Sequence, residues 1–213
     1  MHFIVLGSGL LGVTSAYALA RRGAQVTVID RKSYSAAETS YANGGQLSYS
    51  HAEPWANPTV IPNLPRLIFD PSAPLVLRPR ADLRMIKWGM KFLQNCLPAR
   101  AADHCVHMLR LGLYSREEMK KLREDTGIVF DFSQTGIMHI FGNQKEFEHA
   151  KHHAEFQARF GCFEEELSPE QVYAREPVLS HSKRRIIGGM FSPIDESGDA
   201  YKFCNALAQH ISS

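Results

Sequence analysis

Six residues near the start of the chain, Gly7-Ser8-Gly9-Leu10-Leu11-Gly12, have types and spacing suited to holding a diphosphate. They follow a short apolar strand, Phe3-Ile4-Val5-Leu6, and lead into a helical stretch from Val13 to Arg22. Glycine at the first position allows a tight turn out of the strand, and at the second it lets the backbone come close to a pyrophosphate. At the third it lets helix and strand pack together, while the helix N-terminus supplies free N–H groups and a partial positive charge. After Gly23 the alternating segment Gln25-Val26-Thr27-Val28-Ile29 reads as a second strand. It ends on Asp30, followed by Arg31, where a carboxylate can accept the hydroxyls of an adenosine ribose. A bare G-x-G-x-x-G is weak, and a purely structural glycine turn is the alternative. Here strand, turn, helix, glycine and strand-end acid fall in register, with Ala16, Leu19 and Ala20 spaced to pack on the sheet.

A second run lies in the loop after Asp30: Glu38-Thr39-Ser40-Tyr41-Ala42-Asn43-Gly44-Gly45-Gln46-Leu47. Small hydroxyls, Asn43 and paired glycines suit a backbone that must approach a flat or anionic ligand and donate N–H groups to it. Asn-Gly is also a common surface-turn dipeptide. On residue chemistry alone the two readings weigh equally.

Composition bounds the rest. A chain of 213 residues with 44% hydrophobic residues can bury one good core. Cys96, Cys105, Cys162 and Cys204 form no C-x-x-C pair, so buried free thiols are expected rather than zinc or a disulfide framework. Residues 1–20 carry no charge on Lys, Arg, Asp or Glu, and Arg21-Arg22 follow. A secretory signal needs its positive charge before the apolar run, so a cytoplasmic location is expected. The net charge of +2 is unevenly spread: Arg66, Arg78, Arg80, Arg84, Lys87, Lys91 and Arg100 crowd one segment. That patch could face anionic lipid at the inner side of the cell membrane and is too sparse for nucleic acid.

Gly7 to Asp30, followed by Glu-Thr-Ser-x-x-Asn-Gly-Gly-Gln, resembles the FAD-binding amino-acid oxidoreductase family of D-amino acid oxidase, glycine oxidase and sarcosine oxidase. Within it, the similarity is greatest to the branch of bacterial D-amino acid dehydrogenase small subunits. Further matches are Pro54-Trp55-Ala56-x-Pro58, Lys87-Trp88, Tyr114-Ser115-Arg116, Thr135-Gly136, Gly188-Gly189-Met190 and Pro193-x-Asp195-x-x-Gly198-Asp199. The resemblance covers the whole chain but only the N-terminal half of such a protein. It implies a truncated α/β fold: an FAD-binding Rossmann-like, doubly wound domain with an inserted α+β substrate domain. The implied portions are 1–50 for FAD, 51–190 for substrate and 191–213 returning toward the FAD domain. It further implies that a hydride passes from the Cα of a D-amino acid such as D-alanine to FAD, giving an imine that hydrolyses to a 2-oxo acid and ammonia. Electrons would then go to a non-oxygen acceptor, a quinone or the respiratory chain. The cofactor-binding residues implied are Phe3 to Gly12, Asp30, Arg31, Ser40, Asn43, Gly44, Gly45 and Gln46. Carboxylate-clamping residues of relatives fall in the half not matched, so catalytic residues stay unassigned, and a non-catalytic fragment holding part of the dinucleotide is the alternative. An NAD-linked enzyme is disfavoured by Glu38–Gln46.

Periodicity predicts an irregular proline-rich segment to about Pro79 and helices over 82–97, 103–125, 144–160 and 201–211, the last with nothing after it to pair with. It also predicts a hairpin of 128–132 with 136–141, a capping box at Ser168-Pro169-Glu170-Gln171, and a strand over 185–191. Leu83, Ile86, Met90, Leu93 and Leu97 form a helical stripe that suits core packing, with interfacial membrane contact as the alternative. The sets His104/His107 and His149/His152/His153 read as solvated helix faces rather than a metal site.

Overall fold

The computed structural model describes residues 1–71, 78 and 82–212. Arg80 and most of the segment from 72 to 81 lie outside the described residues. Two compact units result, one of residues 1–50 with 115–213 and the other of 51–114. The expected substrate portion, 51–190, spans both units: 51–114 form the second, and 115–190 fall in the first with residues 1–50.

In the first unit β1 (His2–Leu6) pairs in parallel with β2 (Gln25–Ile29), and α1 (Leu10–Ala20) crosses between them. β1 pairs with β2 alone among the described residues, and Ile4 and Leu6 stand exposed. β3 (Gln46–Leu47) closes the first 50 residues. The second unit holds α2 (Val60–Phe69), α3 (Leu83–Asn95) and the start of α4 (Pro98–Thr126). The first unit resumes with β4 (Ile137–Phe141), α5 (Gln144–Ala158), β5 (Glu165–Leu167), α6 (Pro169–Arg175) and a 3-10 turn, Pro177–His181. β6 (Gly188–Ser192), β7 (Glu196–Ser197) and α7 (Ala200–Ser212) complete it. β6 lies between β4 and β5 in an antiparallel sheet, and β7 pairs with β3.

Several expectations need correction. Residues 128–132 are not a strand, because Asp131 adopts a left-handed φ of 53° and Phe130 turns into the core against Phe203. β4 pairs with β6 rather than in a local hairpin. Val60–Phe69 is helical despite Pro62 and Pro65, where an irregular segment was expected. α4 is one 29-residue helix, starting five residues earlier than predicted. The final helix does have a neighbour: α7 packs on α1, with Phe203, Cys204 and Leu207 beside Val13 and Leu122 in one cluster. The capping box holds, with the Ser168 hydroxyl accepting from the Gln171 N–H and the Gln171 side chain accepting from the Ser168 N–H. The four cysteines are buried and form no disulfide among the described residues.

The stripe on α3 is not core in this structure. No residue of the helix is buried, and Leu83, Ile86, Trp88, Met90 and Leu93 are exposed. On the same helix Met85 and Phe92 are partly buried.

Buried polar contacts fix where β3 runs. The Ser50 N–H and hydroxyl donate to the two oxygens of the fully buried Asp195, at 3.0 and 2.7 Å. Next to it, Glu196 Oε2 accepts from the Tyr49 hydroxyl at 3.0 Å and from Arg123 Nη1 at 2.9 Å. Burial and the Asp195 charge push the Glu164 carboxyl up to about 7, so it keeps much of its proton near neutrality. A buried carboxylate that loses its cation is left with an uncompensated charge. Arg123→Ala should therefore destabilise the chain by about 3 kcal/mol, read as a lower urea midpoint. A loss near that of an ordinary surface substitution would show that Glu196 does not depend on Arg123.

Candidate dinucleotide site

The turn after β1 sets the geometry. Gly7 has φ of +99°, a left-handed conformation that side chains rarely adopt. A Cβ at Gly12 would lie 1.9 Å from the Gly7 carbonyl oxygen, so helix and turn can meet only without one. At Gly9 the nearest atom to such a Cβ is Ser40 Oγ at 3.4 Å, an ordinary contact. Packing within the chain explains Gly12 and backbone conformation explains Gly7. Neither accounts for Gly9, which lines a cleft.

That cleft, of about 590 Å³, is lined by Leu6, Gly7, Gly9, Asp30, Arg31 and the segment Ala36–Ser40. α1 begins at its floor with Gly9 as N-cap and no capping side chain from that residue. A second cleft of about 480 Å³ is lined by Leu10, Ser40, Asn43, Gly44, Gly45 and Gln46 together with Phe130, Gly198 and Phe203. Thr39 and Ser40 border both. Of the expected site residues, Phe3, Ile4, Val5, Ser8, Leu11 and Gly12 line neither cleft; the first three are strand residues, and Leu11 points out to solvent.

Three side chains in this region are already engaged. Ser40 Oγ accepts from the Leu10 N–H at 3.1 Å, so this hydroxyl ties the loop to the start of α1. Asn43 Oδ1 accepts from the Gly45 N–H at 2.8 Å and its amide donates to the Ser40 carbonyl at 3.2 Å, so the Asn43 side chain shapes the turn itself. The Lys32 N–H, then the Ser8 N–H and hydroxyl, hold the Asp30 carboxyl down at about 2. The loop is also fastened from its far end, where the Gly198 N–H donates to the Gly45 carbonyl at 2.8 Å.

Gly198 carries a signal in the Pro193-x-Asp195-x-x-Gly198 pattern, but Met119, Phe130 and Phe203 reach the second cleft with none, since only the fold brings those distant residues to it. Among the described residues no group of three or more His, Cys, Asp and Glu side chains gathers as a metal site. No described helix is long and apolar enough to cross a membrane.

Comparison with known proteins decides the family, because a model described as FAD dependent oxidoreductase matches residues 2–213. The chain belongs to that family. Among relatives, a D-amino acid dehydrogenase from Dechloromonas aromatica is 43% identical over 210 residues, covering 99% of this chain and 50% of the relative. One from Paramagnetospirillum magneticum is 43% identical over 209 residues, covering 98% and 50%. The chain thus spans about half the length of the curated relatives it matches. Among solved structures, glycine oxidase from Geobacillus kaustophilus superposes with a TM-score of 0.64 at 20% identity, over 99% of this chain and 44% of that one. L-alpha-glycerophosphate oxidase from Mycoplasma pneumoniae, a structure with FAD bound, gives 0.62 at 16% identity, over 98% and 41%. These likenesses establish the α/β flavoprotein fold. FAD is the cofactor of the FAD-dependent oxidoreductases, and the cleft fits it: Gly9, without a side chain, lines it beside a helix N-terminus and an ionised acid.

The two glycines separate binding from folding. Gly9→Ala should leave thermal stability within about 0.5 kcal/mol of the parent while lowering flavin affinity by ten-fold or more, on the order of 1.4 kcal/mol. Gly12→Ala should lower stability itself. Equal flavin binding by the Gly9→Ala chain, measured by flavin fluorescence, would remove the phosphate role of this turn.

Proposed function

We propose that this chain supplies the cofactor-binding part of an FAD-dependent D-amino acid dehydrogenase, which converts D-amino acids such as D-alanine to 2-oxo acids and ammonia. The observation that carries this reading is the pair of clefts that share Thr39 and Ser40, one lined by Gly9 and Asp30 and the other by Asn43 to Gln46, in a chain 43% identical to proteins named for that activity. Gly7, Gly9 and the α1 N-terminus would hold the pyrophosphate, and Asp30 the adenosine ribose. The segment from Asn43 to Gln46, with its paired glycines, would lie along the flavin. Bound flavin supplies the capacity to accept a hydride from the substrate Cα; the protein's task is placement and exclusion of water. An acceptor other than oxygen, a quinone or another respiratory-chain carrier, would then take the electrons.

Turnover needs more than these residues. Ile4 and Leu6 on β1 and Leu11 at the start of α1 are exposed apolar side chains. The chain also matches only about half the length of its relatives. Incubated alone with FAD, D-alanine and a dye acceptor, it should reduce dye no faster than free flavin. Joined to the remaining half of the Dechloromonas aromatica relative, it should reduce dye steadily when D-alanine is added. Turnover by the isolated chain would show the other half to be dispensable. A folded, yellow fusion that ignores D-amino acids would overturn the substrate assignment.

A peripheral membrane contact is the second part of the proposal. α3 presents exposed Leu83, Ile86, Trp88 and Met90 alongside Arg84, Lys87 and Lys91, a combination suited to an anionic lipid surface. The chain should float with anionic vesicles at low salt and release as salt rises, because charge attraction is screened. Failure to float at low salt would assign this surface to a protein contact.

A further inference from the structure

Ser8 occupies an unexpected place in the glycine turn. Only 7% exposed, it lines neither of the two clefts described above and instead borders a third with Asp30, Lys32 and Tyr34. Its N–H donates to Asp30 Oδ2 at 2.6 Å, and its hydroxyl donates to the same oxygen at 2.9 Å. Its carbonyl accepts from the Ala36 N–H at 3.0 Å, and Ala36, buried with φ of +60°, opens the loop that borders the cleft. One residue thus ties together the end of β1, the end of β2 and the start of the cleft loop.

The acceptor inventory of Asp30 makes this consequential. A carboxylate offers about four lone-pair positions, two on each oxygen. Ser8 fills both on Oδ2, and the Lys32 N–H takes one on Oδ1 at 2.8 Å. Oδ1 thus carries one such bond against two on Oδ2, and the Arg31 N–H adds a weaker interaction with the carboxyl. The charged and titratable side chains nearby are Arg31, Lys32, Tyr34 and Glu38, and Arg31 is turned onto Glu38 at 3.0 Å. Backbone N–H groups and the Ser8 hydroxyl, rather than a neighbouring cation, therefore account for the Asp30 environment.

We propose that Ser8 is a positioning residue for the ribose-binding acid: it clamps Asp30 through its N–H and hydroxyl and so fixes which oxygen is offered to the ligand. The inference rests on the cleft being a dinucleotide site, and it assigns Ser8 to the acid rather than to the phosphates. The clamp keeps the carboxylate ionised and in one orientation before any ligand arrives, so binding need not first order that side chain.

The test is made on the 213-residue chain with Ser8→Ala, which keeps the N–H and removes only the hydroxyl, and with Ser8→Thr, which retains a hydroxyl. The ¹³C carboxyl resonance of Asp30 is followed from neutrality down to about pH 3.5, a range that begins above the ordinary carboxylate pKa and ends below it. The parent and Ser8→Thr should stay ionised throughout, whereas Ser8→Ala should begin to protonate, its midpoint raised by on the order of one pH unit. FAD affinity, by fluorescence titration at neutral pH, should fall about ten-fold in Ser8→Ala and at least as far in Asp30→Asn. Adding Ser8→Ala to Asp30→Asn should cause no further loss, since Ser8 acts through the acid. An unchanged Asp30 titration in Ser8→Ala, or losses that multiply in the double variant, would overturn the proposal. If neither parent nor variants bind FAD, the dinucleotide reading falls, while the carboxyl titration still decides whether Ser8 clamps Asp30.

Discussion

The cleft depends on a steric constraint between two backbone segments, the Gly7 carbonyl and the first turn of α1. Gly7 must turn left-handed to leave β1, and Gly12 must come so close to that turn that a single added carbon would overlap it. This contact sets the start of α1 directly against the end of β1. Gly9 then lines the cleft as the N-cap of α1. Ser8, held between them, passes the same constraint to Asp30 and Ala36. The phosphate end and the ribose end of the proposed site are thereby set by one short stretch of chain.

The loop that forms the other wall is fixed from farther away. β3 pairs with β7 over only two residues, a ladder too short to hold a loop by itself. The adjoining buried contacts, Ser50 to Asp195 and Tyr49 with Arg123 to Glu196, supply the missing restraint. These acids lie at almost zero exposure and would be costly there without their donors. The pattern Pro193-x-Asp195-x-x-Gly198 therefore reads as structural support: Asp195 anchors the strand at Ser50, and Gly198 bonds to the Gly45 carbonyl beside the second cleft.

Local chemistry was legible in the sequence wherever one residue decides a conformation. The β-α-β start, the turn glycines, Asp30 at the strand end and the Ser168 capping box all depend on such residues, and their positions agree with the reading. Pairings and partners decided by distant contacts were not legible. Nothing in Ile128–Phe132 announces that Asp131 will turn left-handed and send Phe130 toward Phe203. The stripe on α3 has core periodicity, yet whether it is covered depends on what lies opposite, which the spacing of its own residues does not encode. In the site itself, the family resemblance implied that Ser8, Ser40 and Asn43 belong to the cofactor-binding set. Geometry gives their side chains to Asp30, Leu10 and Gly45, because short polar side chains readily bond the nearest backbone or acid.

The central claim is that the two adjoining clefts of the first unit form one FAD-binding surface. Hydrogen–deuterium exchange of the chain with and without FAD tests it most directly, since it reads backbone protection segment by segment. The account predicts slower exchange on FAD addition over residues 7–12, 30–31 and 36–46, with residues 51–71 and 82–114 unchanged. Unaltered exchange in the glycine turn at FAD concentrations that saturate binding, or protection confined to the second unit, would contradict it.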